Sequence, residues 1–270
     1  MRELERTAAD TSSTMPAPAG PLRIGIVGRG RVGTALAAAL RAAGHEVDGP
    51  AARDRTPAGD VLLLCVPDDQ IEAAAQAVGA AAAPRFVGHT SGATPLTALD
   101  PAGAEHAFGL HPLQTIAGPE TDLNCCGCAI GGSTDAAVAL AERLARDLGM
   151  HPLRIDDHQR AAYHASASIA SNFLLTLQAA AESVAAGAGI APAEARRLLG
   201  PLVRTTVDNW VEHGPEAALT GPVKRGDERT VAAQRAAVED AAPELLDLFD
   251  ELVERTRALA GRERAEVPVA

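Results

Sequence analysis

The chain has 270 residues, 47% of them hydrophobic but only 2% aromatic, and a formal net charge of −11 at pH 7. That length suits two domains of ordinary size, with interiors packed from Ala, Val, Leu and Ile. The acidic balance and the scarcity of aromatic rings exclude a basic footprint for nucleic acid or anionic membrane and a base-stacking platform, which leaves a small-molecule function.

Residues 1–20, MRELERTAADTSSTMPAPAG, are polar and then Pro/Ala-rich, without the apolar core of a signal peptide, and read as a disordered leader. No later stretch has the uninterrupted apolar length of a membrane span, so the expected location is cytoplasmic. Cys65 lies alone in a strand-like run, and Cys125, Cys126 and Cys128 crowd into NCCGCAI. No histidine or second cysteine pair follows at a zinc-ribbon spacing, so reduced thiols are expected and no metal.

The apolar run Ile24, Ile26, Val27 leads into Gly28, Gly30 and Gly33 and then into an alanine-rich helical pattern. Strand, tight turn and helix are the context in which G-x-G-x-x-G marks a dinucleotide site. Gly28 lets the chain turn, Gly30 admits a pyrophosphate and Gly33 lets the helix pack closely. Arg29, Arg31 and Val32 complete the turn, whose helix-start N–H groups face the anion. HEVDGP, His45 to Pro50, is a second strand. Asp48 has about the spacing of a ribose-gripping acid but falls mid-strand, whereas Arg53 and Arg55 come at the strand end, where arginines suit a 2′-phosphate. NADP is therefore preferred, with NAD second.

DVLLLCV, from Asp60 to Val66, is the near-continuous apolar run of a parallel strand buried on both faces. Val66 and Pro67 end it at the edge where ligands sit, and Asp68 or Asp69 reads as a cap for the helix from Ile71 to about Ala82. Arg85 to Gly88 forms a further strand that delivers HTSGAT. Thr90, Ser91 and Gly92, with His89, can hold a carboxylate or carbonyl beside a nicotinamide, or form a turn capping the helix at Pro95; one group can do both. Ala104 to Leu110 is strand-like and ends in HPLQT, so His111, held extended by the following proline, is either a ligand or acid at a strand end or a structural histidine. Ala129 and Ile130 end a short strand, Ser133 or Thr134 caps a helix from Asp135 to Leu148, and His151 to Ile155 is the last strand.

From Asp156 the pattern is helical. Asp157 to about Ala186 reads as one long helix, with Tyr163, Ile169, Phe173, Leu174 and Leu177 on its apolar faces. His164, Ser168, Ser171 and Asn172 share one face at i, i+4, i+7 and i+8, the expected substrate side of an interdomain cleft. Pro192 opens another helix, closed by Gly214, with Trp210 and Val211 on its buried side. The loop ALTGPVKRGDERT carries Lys224 and Arg225, which can hold an anionic substrate group or a cofactor phosphate, or remain solvated. Two helices, at about Asp227–Ala241 and Pro243–Ala260, precede a tail that frays after Gly261.

The motifs IGIVGRGRVG, CVPDDQI, GHTSGAT, LHPLQT, YHASASIASN and ALTGPVKRGD together resemble a bacterial family that joins a Rossmann-like domain to a helical domain of unknown function. The two-part architecture is similar to that of 6-phosphogluconate dehydrogenase-like, ketopantoate reductase-like and pyrroline-5-carboxylate reductase-like enzymes. The resemblance covers about residues 22–255. It implies NAD(P)-dependent oxidoreduction and a helical domain that builds a homodimer. Hydroxyacid dehydrogenases of this kind carry a lysine four residues before an asparagine on the first long helix; here that residue is Ser168, before Asn172. A serine is a poor proton donor, so His164, His111 or Lys224 must supply the acid.

The expected fold class is α/β: a doubly wound, mostly parallel Rossmann sheet over residues 21–155 and an all-helical substrate and dimerisation domain over 156–261, with a tail over 262–270. The expected activity is hydride transfer between NADP(H) and a small carbonyl or imine, such as a 2-oxo acid. His164 or His111 gives the proton, Ser168 and Asn172 orient the reacting group, and Thr90 and Ser91 hold a carboxylate. The alternative is a sensor that binds NADP(H) without turnover.

Overall fold

The computed structural model describes residues 20–52, 55–82 and 84–266. The expected leader, apart from Gly20, and Arg53 lie outside the described residues. The chain divides into two compact units, parting between Ser171 and Asn172.

The first unit is built on a sheet of seven strands: β1 (Arg23–Val27), β2 (Glu46–Ala51), β3 (Val61–Leu64), β4 (Phe86–His89), β5 (His106–Leu113), β6 (Gly127–Gly132) and β7 (His151–Arg154). Their order is β2-β1-β3-β4-β5-β6-β7, and every neighbouring pair is parallel except β5 with β6. The mostly parallel sheet expected from the run of strands is therefore observed. Residues 61–64 show why that run is so apolar. Val61 and Leu63 enter one hydrophobic cluster with α1 (Arg31–Ala42) and α3 (Asp135–Asp147). Leu62 and Leu64 enter a second, on the opposite face, with α2 (Ile71–Ala82) and a 3₁₀ segment at Leu96–Ala102. Alternate residues point to opposite faces, and both faces are covered.

Because β1 lies between β2 and β3, the chain winds away from it in both directions. That leaves a crevice outside the carboxyl ends of β1 and β3, the place where ligands bind in open α/β sheets. The chain enters it through the glycine turn. Gly28 has φ 111°, and a Cβ there would lie 2.2 Å from the Cys65 carbonyl oxygen. A Cβ on Gly33 would lie 2.0 Å from the Gly28 carbonyl oxygen, so α1 meets the strand ends backbone to backbone.

Several elements differ from their sequence reading. Asp48 does stand mid-strand, opposite Gly25. Asp68 and Asp69 fall in a 3₁₀ turn, Asp68–Gln70, that has no side-chain cap. β5 runs on through His111 and Leu113, because its antiparallel pairing with β6 continues to Gly127. Thr134, not Ser133, caps α3, while Ser133 takes the Ala107 N–H.

The expected long helix is broken. A 3₁₀ turn at Asp157–Gln159 leads into α4 (Arg160–Ala170), Ser171 interrupts, and α5 (Asn172–Gly187) follows. α4 belongs to the first unit, so the units part after Ser171, whereas the strand pattern ends near Ile155.

The second unit packs α5 with α6 (Pro192–Ala218), α7 (Pro222–Arg225), α8 (Glu228–Ala241) and α9 (Leu246–Glu266). α6 kinks at Gly214, where φ is 76°, and resumes beyond it. α9 passes through Gly261 to Glu266 rather than fraying there. Trp210 and Val211 are 52% and 71% exposed, so the side assigned to the core faces outward.

The turn makes a sharp contrast between two glycines. Gly33→Ala should lower stability by about 2–4 kcal/mol, because its methyl overlaps the Gly28 carbonyl. Gly30 meets nothing within 4 Å, so Gly30→Ala should stay within about 0.5 kcal/mol of wild type. Urea midpoints of the two variants check this, and equal midpoints would contradict so close an approach of α1.

Candidate functional site

Gly30 is the N-cap of α1, with extended backbone, no side-chain cap and no acid in the first turn of the helix. The first N–H groups of α1 are therefore available to an anion, with open space in front of Gly30. Arg29 and Arg31 are exposed on either side. A cavity of about 240 Å³ lies against the ends of β1 and β3, lined by Val27, Arg55, Thr56, Val66, Gln70 and the Ala73–Val78 stretch of α2. Arg55 is not free for a phosphate. It makes two bonds to Asp48, at 3.0 and 2.8 Å. Asp48 also accepts the Ala58 N–H, and with Arg55 this holds its carboxyl down to about 2. The acid that could have gripped a ribose and the arginine that could have gripped its phosphate are paired with each other.

Farther along the same edge, β4 and β5 present a cluster of titratable groups. His89, the last residue of β4, is fully buried and accepts the Ser91 N–H at Nδ1. Ser91 spends its hydroxyl on its own turn, accepting from the amides of Ala93 and Thr94 and donating to Thr94 Oγ1. HTSGAT thus forms a turn bonded to itself, but it does not cap the segment beginning after Pro95, whose Leu96 N–H goes to Asp157. Thr90 stays half-buried at the edge. The imidazole of His111 lies over Gly92, where a Cβ would meet Cε1, Nδ1 and Nε2 at 2.9, 3.0 and 3.0 Å.

α4 supplies the partners. Tyr163 Oη is 2.8 Å from His111 Nδ1, and His164 packs edge-on to the His111 ring at 6.2 Å between centroids. Burial, then the neighbouring His164 and Arg160, push His111 down to about 4. Burial pushes Tyr163 up to about 12. At neutral pH both partners are thus uncharged, a short hydrogen-bonded pair able to hold or pass one proton. Arg160, 2% exposed, sits over Gly109 and Gly131 and donates through Nε to Asp157 at 2.6 Å.

The structure thus brings His111 and His164 together and adds Tyr163, which the pattern placed on an apolar face, and Arg160, which it passed over. For Tyr163 a signal was present: it is the one tyrosine of the chain, directly before His164. Ser168 stands one turn further along α4. Asn172 begins α5 in the second unit, so the stripe from His164 to Asn172 does not lie on one continuous helix. Lys224 and Arg225 are also in the second unit, where Lys224 donates to the Glu216 carbonyl and Arg225 is exposed. All four cysteines are free, and the described residues hold no group of His, Cys, Asp and Glu fit for a metal.

Residues 7–57 match a Rossmann-like domain, and residues 126–256 match a domain of unknown function, DUF2520. The chain thus matches a Rossmann-like model in its first part and a DUF2520 model in its second. No curated protein matches it by sequence. Among solved structures it is similar to a Bacteroides fragilis protein proposed to be an NADP oxidoreductase, at 21% identity and TM-score 0.74, over 88% of this chain and 98% of that one. A Thermotoga maritima protein is similar at 23% identity and TM-score 0.74, over 89% and 99%. A Plasmodium falciparum pyrroline carboxylate reductase with NADP bound shares the fold at 12% identity and TM-score 0.55, over 89% and 100%.

The buried histidines set a pH dependence. His89, by burial and then Arg160, and His111 both fall from 6.5 to about 4 in the fold. Between those values the unfolded chain binds more protons than the native one. Stability is therefore complete above about pH 6.5 and falls as pH drops toward 4. Urea midpoints measured from about pH 7.5 to about pH 5 should show this slope, and His111→Gln should flatten it. An unchanged slope in that variant would show that His111 titrates normally.

Proposed function

We propose that the first unit binds a nicotinamide dinucleotide, NADP(H) in preference to NAD(H), and that the protein uses it to oxidise or reduce a small carbonyl or imine compound, with a 2-oxo acid the leading class. The observation that carries this reading is the glycine turn. Two glycines close it by backbone contact, while Gly30 leaves open the space before an uncapped helix N-terminus at the switch point of the sheet. Amides of Arg31, Val32 and Gly33 would take pyrophosphate oxygens, with Arg29 beside them. The cavity walled by Val27, Val66 and α2 suits the adenine. Arg53 is the arginine left for a 2′-phosphate, since Arg55 is committed to Asp48. An NADP-bound reductase of the same fold supports the choice.

When bound, the dinucleotide supplies or accepts the hydride. The chain's own task is to place the reacting group and handle its proton. Tyr163 donating to His111 Nδ1 would leave the proton of the neutral imidazole on Nε2, from which it can pass to an oxygen or nitrogen gaining an electron pair as the Tyr163 hydroxyl proton moves onto Nδ1, leaving the negative charge on the Tyr163 oxygen until solvent reprotonates it. Thr90 and the Gly92 backbone lie along the same edge to orient a carboxylate, and His164 sits beside the pair. Ser168, where related dehydrogenases carry lysine, favours a second reading: tight binding of NADP(H) without turnover.

The exposed apolar residues Phe173, Leu175, Leu198, Leu202, Trp210 and Val211 lie on α5 and α6. Large apolar side chains exposed on two helices that pack on each other are the kind of surface that marks a protein interface. We assign it to a second copy of the chain.

Two measurements check these readings. At about a hundredfold excess over Kd, NADPH should raise the melting temperature by about 5 °C or more, beyond the effect of NADH. Arg53→Ala should erase that difference, and consumption of NADPH with some member of a panel of 2-oxo acids, aldehydes and cyclic imines separates enzyme from sensor. No shift with either dinucleotide would overturn the reading. Light scattering should give twice the chain mass, and Leu202→Glu with Trp210→Glu should halve it; a wild-type monomer would overturn the dimer.

A further inference from the structure

We propose that Gln70 reads the edge of the purine base, so that the protein selects an adenine dinucleotide over its hypoxanthine counterpart. The assignment rests on the dinucleotide reading above. The cavity of about 240 Å³ is walled by small apolar side chains, Val27, Val66, Ala73, Ala74, Ala77 and Val78 among them. It is smaller than the roughly 300–1,000 Å³ of a site for a drug-sized ligand and suits one flat ring system. Walls of this kind hold a base by its faces but cannot tell one base from another. Identity has to come from a polar group at the edge, and the cavity offers Arg55, Thr56 and Gln70.

Arg55 is held by Asp48. Gln70 is different. Its backbone N–H donates to the Pro67 carbonyl at 2.9 Å, fixing the turn, while its Oε1 is buried without a hydrogen-bond partner. Among the described residues four buried side-chain polar atoms are unpartnered, and Gln70 Oε1 is the one oxygen; the other three are nitrogens of His89, His106 and Arg160. A buried acceptor with nothing donating to it calls for a donor. Adenine carries one on its edge, the 6-amino group, where hypoxanthine carries a 6-oxo acceptor. A 6-oxo group would set two acceptors against each other, or force the carboxamide to turn over.

The test is titration of the full-length protein with NADPH and with its hypoxanthine analogue, by calorimetry. Wild type should bind NADPH about 5–10-fold more tightly, the worth of one hydrogen bond. Gln70→Leu should bring the ratio close to one, chiefly by weakening NADPH. Gln70→Glu keeps only acceptors and should preserve NADPH binding while widening the ratio, which guards against a loss caused by misfolding in the leucine variant. Equal binding of the two by wild type, or an unchanged ratio in Gln70→Leu, would overturn the role of Gln70 while leaving dinucleotide binding intact. Binding of neither would overturn the dinucleotide reading and this assignment together.

Discussion

A buried guanidinium organises the end of the first unit where His89 and His111 lie. Arg160 rests on Gly109 and Gly131, which oppose each other in the β5–β6 pair, and a Cβ on either would come within 2.8 or 3.0 Å of its Nη2. Its charge is met by one carboxylate, Asp157, whose second oxygen accepts the Leu96 N–H. That residue therefore ties the start of α4 to the segment that follows the His89–Gly92 loop. A buried cation is costly to strip of its partner, so the tie is hard to break locally. Its consequence is chemical as well as mechanical: α4 is held where Tyr163 meets His111, and the nearby positive charge helps keep His89 and His111 neutral.

The opposite end of the same edge is organised by absence of side chains. Gly28 and Gly33 bring helix and strands to backbone contact, which a methyl group would prevent, and alanines of α2 leave a shallow slot. The two ends share one logic. Glycine and alanine admit close approach, and the few polar groups at the edge then act at short range in a partly dry environment. A chain with 2% aromatic residues has few large rings to fill such space. One of them, Phe108, lies against Gly88, where a Cβ would meet the ring at 2.4 Å.

The second unit is built differently. Its helices bury little of their apolar surface within the unit, and α6 is exposed on every side from Arg204 to His213. A cavity of about 510 Å³ among α5, α6, α8 and α9 is lined by Leu177, Val184, Leu199, Val238 and Phe249. An amphipathic helix gains most of its stability from tertiary packing, and here much of the apolar face has no cover within the unit.

Much of the first unit was legible in order of residues. Strand runs, the glycine turn and a cap at Ser133 or Thr134, like the start of α8 at Asp227 in the second unit, all follow from patterns that are local in the chain, because periodicity, capping and backbone freedom act over a few residues. The break at Ser171 was not legible, since the apolar and small residues on both sides continue a helical pattern. The orientation of Trp210 was likewise undecidable: a large apolar residue on a helix marks a buried face only when something is there to bury it.

The same division runs through the candidate site. The sequence by itself determined that a glycine turn joins β1 to α1, where the strands end, and that histidines and hydroxyls gather beside them. Tertiary structure decided which of these act together. It paired Arg55 with Asp48, turned the Ser91 hydroxyl onto its own loop, and set Tyr163, placed by pattern on an apolar face, against His111 across 52 residues of chain. Hydrogen bonds and buried charges depend on distances between segments remote in sequence, and no local period encodes those distances.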